Sequence, residues 1–393
     1  MALDPRLLEL DPDHPLRRAR PRALVAGLVA LALCGIGALF DPQQFLRSYL
    51  VGWLLWFGIA LGCLAVLMIH HVAGGAWGAS VRRVLESAAG TVPLLGLLFL
   101  PIVLGVHRLY EWAEPGVLEQ DAVLRGKSHY LNVPFFVSRA ILYFAVWTVV
   151  ALFLNRWSED QDRTGDAAIT RRLELLSRGG LVVYGLTVTF AAIDWAMSLE
   201  PHWFSTIYGL LLMGGQGVAA FAFTIAMSAV LIRQASIGRV IGPSQFHDLG
   251  SLLLAFVMIW AYLAVSQLLI VWSGNLPEEI SWYLKRTQHG WLWVGYLIIV
   301  AHFVLPFLAL LSRRLKRHVE TLAIVACWLV VARWVDLYWL VQPSFRGDGP
   351  LPHWMDLLTP IGVGGVWLWL FLGRLASRPV IAIGDPMLPE VEA

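Results

Sequence analysis

The chain has 393 residues, of which 58% are hydrophobic and only 14% charged. A soluble domain is about 25% charged, so this composition excludes a soluble globular protein and points into a membrane. The net charge of +2 leaves no basic surplus for nucleic acid, and none is expected as a partner.

Residues 1–22 carry acidic groups and no apolar core; they are expected as a cytoplasmic tail, not a secretory signal. Apolar runs of about 20 residues can span a bilayer. They fall near 23–40, 48–70, 90–108, 132–155, 179–199, 206–232, 249–273, 288–312, 319–341 and 356–374. With the N-terminus inside, the cytoplasmic connections hold roughly three times as many Lys and Arg as the outer ones, as positive-inside topology requires. The 19 Trp and 10 Tyr suit aromatic belts at both interfaces. The expected fold is all-α and polytopic: ten transmembrane helices with both ends cytoplasmic. The longest connections, 109–131 outside and 156–178 inside, read as polar linkers, and 379–393 as an extended or disordered cytoplasmic tail.

A repeat divides the chain. Asp194-Trp-Ala-Met-Ser-Leu-Glu-Pro201 is answered by Asp336-Leu-Tyr-Trp-Leu-Val-Gln-Pro343, 142 residues on, each closing a span. The two copies lie four spans apart and so share one orientation. This gives a four-helix bundle over 48–205 and another over 206–345, flanked by helix 1 (23–47) and helix 10 (346–378).

Ionisable groups within spans are costly and mark function unless paired. Asp194 shares a helical stripe with Tyr184, Thr187 and Ser198, and has no basic neighbour on its own helix. Arg139 in span four is its candidate partner. Asp336 lies three residues after Arg333 on one helix face, which offers a local ion pair. His302 is the mid-bilayer histidine, with Pro306 one turn later; bis-histidine haem would need a second. His71 and Glu86 stand at the inner end of spans two and three and can open a proton path. Glu200 and His202 form an outer corner suited to quinone contact or proton exit. Cys34, Cys63 and Cys327 are scattered in apolar runs with no CxxC pattern, so no iron–sulfur, c-type haem or zinc site is expected.

Several motifs carry a family resemblance. Phe45-Leu-Arg-Ser-Tyr-Leu, His70-His71-x-x-Gly-Gly-Ala-Trp-Gly78, Asn155-Arg-Trp-Ser-Glu-Asp-Gln161, Phe190-x-x-x-Asp-Trp-x-Met-Ser-Leu-x-Pro-x-Trp-Phe-Ser-Thr-Ile-Tyr-Gly209 and Phe246-His-Asp-Leu-Gly250 resemble the second NrfD-like subunit (ActF) of bacterial alternative complex III, of the NrfD/polysulfide-reductase membrane type. The resemblance spans about residues 45–345. It implies a subunit of a quinol:electron-acceptor oxidoreductase whose redox centres lie on its partners. Those partners would be a homologous NrfD-like subunit, multihaem and monohaem cytochromes c, an iron–sulfur subunit, small membrane subunits and a terminal oxidase, with membrane lipids around them. It implies a place in the bacterial inner (cytoplasmic) membrane, no covalently bound cofactor, quinone or menaquinone and lipids as candidate ligands, and a contribution to proton translocation; by their placement within or beside the spans, Asp194, Asp336, Arg139, Arg333, His302, His71 and Glu86 are the candidate proton path. A secondary transporter and a purely structural scaffold are the competing readings.

Overall fold

The computed structural model describes residues 8–347 and 349–388; the ends of both expected tails, 1–7 and 389–393, lie outside the described residues. Among the described residues every regular element is helical. Ten helices are long and apolar enough to cross a membrane: α1 (Pro15–Phe40), α2 (Pro42–Ala73), α3 (Ala76–Leu104), α4 (Val133–Thr164), α5 (Ala167–Leu199), α6 (Tyr208–Leu231), α7 (Pro243–Gly274), α8 (Trp291–Leu311), α9 (Val319–Ser344) and α10 (Trp354–Leu375). The chain is an all-α, multi-pass membrane protein. An even number of crossings puts both termini on one face, and the Val380 N–H donates to the Leu8 carbonyl there at 2.9 Å.

Each expected span has its helix, and the boundaries that differ have local causes. α1 starts at Pro15, with Pro in the first turn and the His14 ring accepting from the Leu16 N–H at 3.3 Å. α3 starts at Ala76, not near 90, and carries Arg82, Arg83 and Glu86 inside the helix. The inner linker expected over 156–178 does not exist. α4 runs on to Thr164 and stops at Gly165, whose φ of 65° suits glycine. Asp166 then caps α5 by accepting from the Ala168 N–H at 2.8 Å. Composition signals a linker wherever charges cluster, but here most of the charges stand on the exposed faces of two continuous helices, and Asp162 turns inward to Arg83 of α3.

The outer connection 109–131 is packed down. Tyr110, Trp112 and Leu124 are buried, and the Tyr110 and Trp112 rings sit against Phe136 at 5.5 Å.

α2 is the centre of the molecule. Its most apolar stretch is 94% buried, against 22% for α1, because α2 touches α1, α3, α5, α6, α9 and α10. Helices α2 to α5 pack around Trp53, Phe57, Phe99, Phe144, Trp147 and Trp195, with ring centroids 4.7–6.3 Å apart. Helices α6 to α9 pack on one another, and α6 meets α2 along the seam between the groups. α1 and α10 lie together against α2. Asp356 in α10, fully buried, fixes that contact by accepting from Ser48 of α2 at 2.6 Å and from Arg346 at 3.0 Å.

Candidate functional site

The twin aspartates sit near the ends of α5 and α9 on the face opposite the termini, and both are buried. Their surroundings differ. Asp194 accepts two parallel bonds from Arg139, Nε to Oδ2 and Nη2 to Oδ1, each 2.8 Å, and a third from the Tyr143 hydroxyl at 3.0 Å. Arg139 is itself held between Tyr130 and Phe135, its guanidinium carbon 3.8 and 4.2 Å from the ring centroids, and it donates to the Tyr130 carbonyl at 3.0 Å. The next residue, Trp195, fills the bundle beside the pair. A bidentate, hydrogen-bonded, closely packed pair of this kind is a fixed charge pair.

Asp336 has one strong partner, Arg333, one turn back on α9. The two share the buried centre of the second group with Gly215 of α6, where any Cβ would collide with the Arg333 guanidinium. A side chain at 215 would push the buried guanidinium out of this place. On its other side Asp336 borders a cavity of about 280 Å³ between α7, α8, α9 and the short helix Pro277–Lys285. Trp260, Trp282, Trp339 and Arg286 also line it. The Trp260 indole N–H lies against the Asp336 carboxylate without a well-aligned bond, and the Trp339 N–H has no partner in the protein.

His302 is fully buried, its ring 4.1 Å from that of Trp260, and neither ring nitrogen has a hydrogen-bond partner. It lies in a π-helical segment, Ile299–Val304. Pro306 explains the widening: it has no N–H for the His302 carbonyl four residues back, and its ring crowds that carbonyl. The structure thus brings Asp336, Arg333 and His302 together around Trp260, while Asp194 and Arg139 form a separate site in the other group.

Glu200 is linked to the same cavity through Arg286, one of its lining residues. Arg286 donates to it at 2.8 Å, Ser344 at 2.9 Å, and Lys285 lies 3.1 Å away. Arg286 also donates to the Leu340 carbonyl at 2.7 Å, at the end of α9, and stacks 3.5 Å over Trp282. Burial works to raise the Glu200 pKa, but the charges of Arg286 and Lys285 outweigh it and hold the carboxyl below its ordinary value. Glu200 is therefore a standing anion that anchors Arg286. His202 is elsewhere, half-exposed and paired with Asp121 of the outer connection at 2.6 Å.

On the terminal face, Glu86 is fully buried. It accepts from Arg82 at 2.8 Å and Arg83 at 2.6 Å, with Arg378 at 3.1 Å. The segment after α10 folds back over this cluster. Asp385 takes bonds from Arg82 at 3.0 Å and His70 at 3.2 Å, and the Gly384 N–H donates to Asp162 at 3.1 Å. His71 is half-buried beside it, its Nε2 without a partner. The structure therefore places Glu86 under a strap, not at an open mouth. Burial opposes ionisation of Asp385, but the His70 bond and the Arg82 charge pull its pKa well below the usual carboxylate range. A depressed carboxyl contributes stability above its unfolded pKa of about 3.9 and loses it as pH falls below that. The strap is thus expected to hold at neutral pH and to loosen only in acid. Asp385→Asn should free it at pH 7, read as faster limited proteolysis after Ser377; an unchanged digestion rate would refute this.

No protein-family model and no curated protein matches this chain. Among the described residues no group of three or more His, Cys, Asp or Glu could hold a metal ion. Sequence reading missed Arg286, Trp260 and Trp339. Arg286 looked like an outer loop charge and the indoles like belt residues, and only the folding of 277–285 over the ends of α7 and α9 collects them.

Proposed function

We propose that the chain is a membrane subunit of a respiratory quinol:electron-acceptor oxidoreductase of the alternative complex III type, holding no redox centre of its own. It would sit in the bacterial inner membrane with both termini cytoplasmic. Quinol oxidation releases two protons for every two electrons, so the membrane part of such a machine needs a carboxylate able to change its charge. The observation that carries the reading is the inequality of the two aspartates. Asp194 is saturated by Arg139 and Tyr143 and walled in by aromatic rings, whereas Asp336 keeps one arginine and borders open space. A buried carboxylate with free volume beside it can exchange a proton; one locked in a bidentate pair cannot do so cheaply. The motifs from Phe45 to Gly250 support the family assignment.

A transporter built from repeats would carry discontinuous helices at corresponding places in its two halves. Here the spans interrupted along their length are α3, second in its group, and α8, third in its group, and these do not correspond; the turns Met197–Leu199 and Gln342–Ser344 do correspond but only end α5 and α9. Purification of the chain from its native membrane tests the reading. Co-elution of haem and iron–sulfur spectra with quinol:cytochrome c turnover is expected. Isolation free of redox proteins, with solute uptake by proteoliposomes holding the chain alone, would overturn it in favour of the transporter.

A further inference from the structure

We infer that the turn between α8 and α9 is a binding site for the phosphate of an anionic phospholipid, drawn from the leaflet on the terminal face. Three features meet there: a run of unneutralised cations, a recess beside it, and apolar side chains facing the adjoining hydrocarbon.

The cations come from Arg313-Arg-Leu-Lys-Arg317, four positive residues in five, folded as one short helical turn. Eight crossings from the N-terminus place this turn on the terminal face. Arg313, Arg314 and Arg317 are exposed, and among the described residues none is bonded to a carboxylate. The nearby acidic residues do not neutralise them: Glu320 is exposed and unpaired, and Asp248 of the neighbouring α7 faces His247 at 3.3 Å. Elsewhere on this face arginines are committed to structure, with Glu86 holding Arg82, Arg83 and Arg378, and Glu174 holding Arg178. Topology explains the sign of the charges in such a turn, but not their crowding without a counter-charge.

Lys316 points the other way and fixes the turn. It is buried, it donates to the Ser251 hydroxyl of α7 at 2.9 Å, and a Cβ on Gly250 would meet its Cγ at 2.9 Å. Burial and the Arg313 charge both hold the Lys316 pKa below its ordinary value. The cations therefore repel one another, and an arriving anion relieves that repulsion. Arg314 also lines an open recess of about 370 Å³ with Ser312, Leu315, His318 and Thr321. The Ser312 hydroxyl accepts from the Leu315 N–H at 3.3 Å, and the Thr321 hydroxyl donates to the His318 carbonyl at 2.9 Å, so the walls are tied to the backbone. A guanidinium fork at the mouth of such a recess suits the paired oxygens of a phosphodiester.

The neighbouring apolar surface selects a lipid over a soluble anion. Leu308 and Leu311, one turn apart at the end of α8, are 59% and 54% exposed, and Ile324, one turn past Thr321 on α9, is 68% exposed. These side chains face hydrocarbon when the recess faces the head-group layer. An amphiphile with a negative head and acyl chains matches both surfaces at once.

The purified chain, with whatever partners accompany it, is tested in phosphatidylcholine nanodiscs. These hold a trace of phosphatidylglycerol or of phosphatidylcholine bearing a diazirine near the head of one acyl chain, and labelled peptides are mapped by mass spectrometry. Labelling within 305–324 is expected to be at least about fivefold higher with the phosphatidylglycerol probe. Unlabelled phosphatidylglycerol should displace it and raised salt should weaken it, whereas inorganic phosphate should not compete. Arg313→Gln, Arg314→Gln and Arg317→Gln together should lower it at least about tenfold. Arg156→Gln, Arg171→Gln and Arg172→Gln remove three exposed arginines of the same face that also lack a carboxylate partner, and should leave it unchanged. Both triple variants should keep the melting temperature of the parent.

Equal labelling by the two probes would reduce the contact to ordinary boundary lipid and overturn the inference. So would an equal loss in the two triple variants, displacement by inorganic phosphate, or cross-links from 305–324 to an accompanying acidic protein in place of lipid. The two-probe comparison on the parent decides the matter even where a triple variant is not recovered.

Discussion

Arg139→Ala is expected to remove about 3–5 kcal/mol of stability, because it strands a buried carboxylate in an aromatic core. Asp194 is fully buried, and both of its bidentate bonds come from this one side chain. The loss should appear as a sharply lower melting temperature in detergent and poor recovery from the membrane. Removing both charges tests whether the pair is structural. With Arg139→Met and Asp194→Leu together no uncompensated charge remains, and a buried ion pair exchanged for apolar groups is often close to neutral. The double variant should therefore recover most of the lost stability, short of the stacking of Arg139 on Tyr130 and Phe135. It should also keep quinol turnover within about threefold. An Arg139→Ala protein as stable as the parent, or a double variant no better than the single, would show that the pair does not stabilise this fold.

The fold was legible because bilayer solvation imposes simple rules. An apolar run of spanning length, closed by Asp41-Pro42 or opened after Asn132, has few alternatives to a membrane helix, and every such run became one. The Arg139–Asp194 pair was legible for a related reason: an unpaired carboxylate within a span needs a cation, and few were available. The Arg333–Asp336 pair followed from helical spacing alone. Legibility ended where charges pair across helices far apart in sequence. Arg82, Arg83 and Asp162 lie in polar stretches between the expected spans, yet Glu86 gathers Arg82, Arg83 and Arg378 beneath a strap held by Asp385, and Asp162 meets Arg83. Asp356 went unnoticed because one partner, Ser48, is neutral and distant in the chain, and the other, Arg346, stands in the outer connection before α10.

The difference between the twins could not be read either. Their spacing to the closing proline matches, and what separates them is largely supplied by other helices: an arginine and a tyrosine from α4 around Asp194, an empty volume walled by α7 and α8 beside Asp336.

That difference gives the second large expectation. Arg333→Met with Asp336→Asn removes both charges from the second group, as the double substitution does in the first, so the fold should survive with a comparable melting temperature. Turnover should not. If Asp336 is the group that changes charge as protons leave quinol, the neutral amide cannot replace it, and quinol oxidation should fall at least about tenfold, roughly 1.4 kcal/mol in barrier. Asp336→Glu together with wild-type Arg333 should restore part of the rate, since a carboxylate returns and the cavity of about 280 Å³ has room for one more methylene; a purely structural pair would instead be disturbed by the longer side chain. The comparison is internal, since two double substitutions neutralise twin sites in one chain. Equal turnover in both would leave Asp336 no more than a second fixed pair, and the proton role would have to be sought outside these helices.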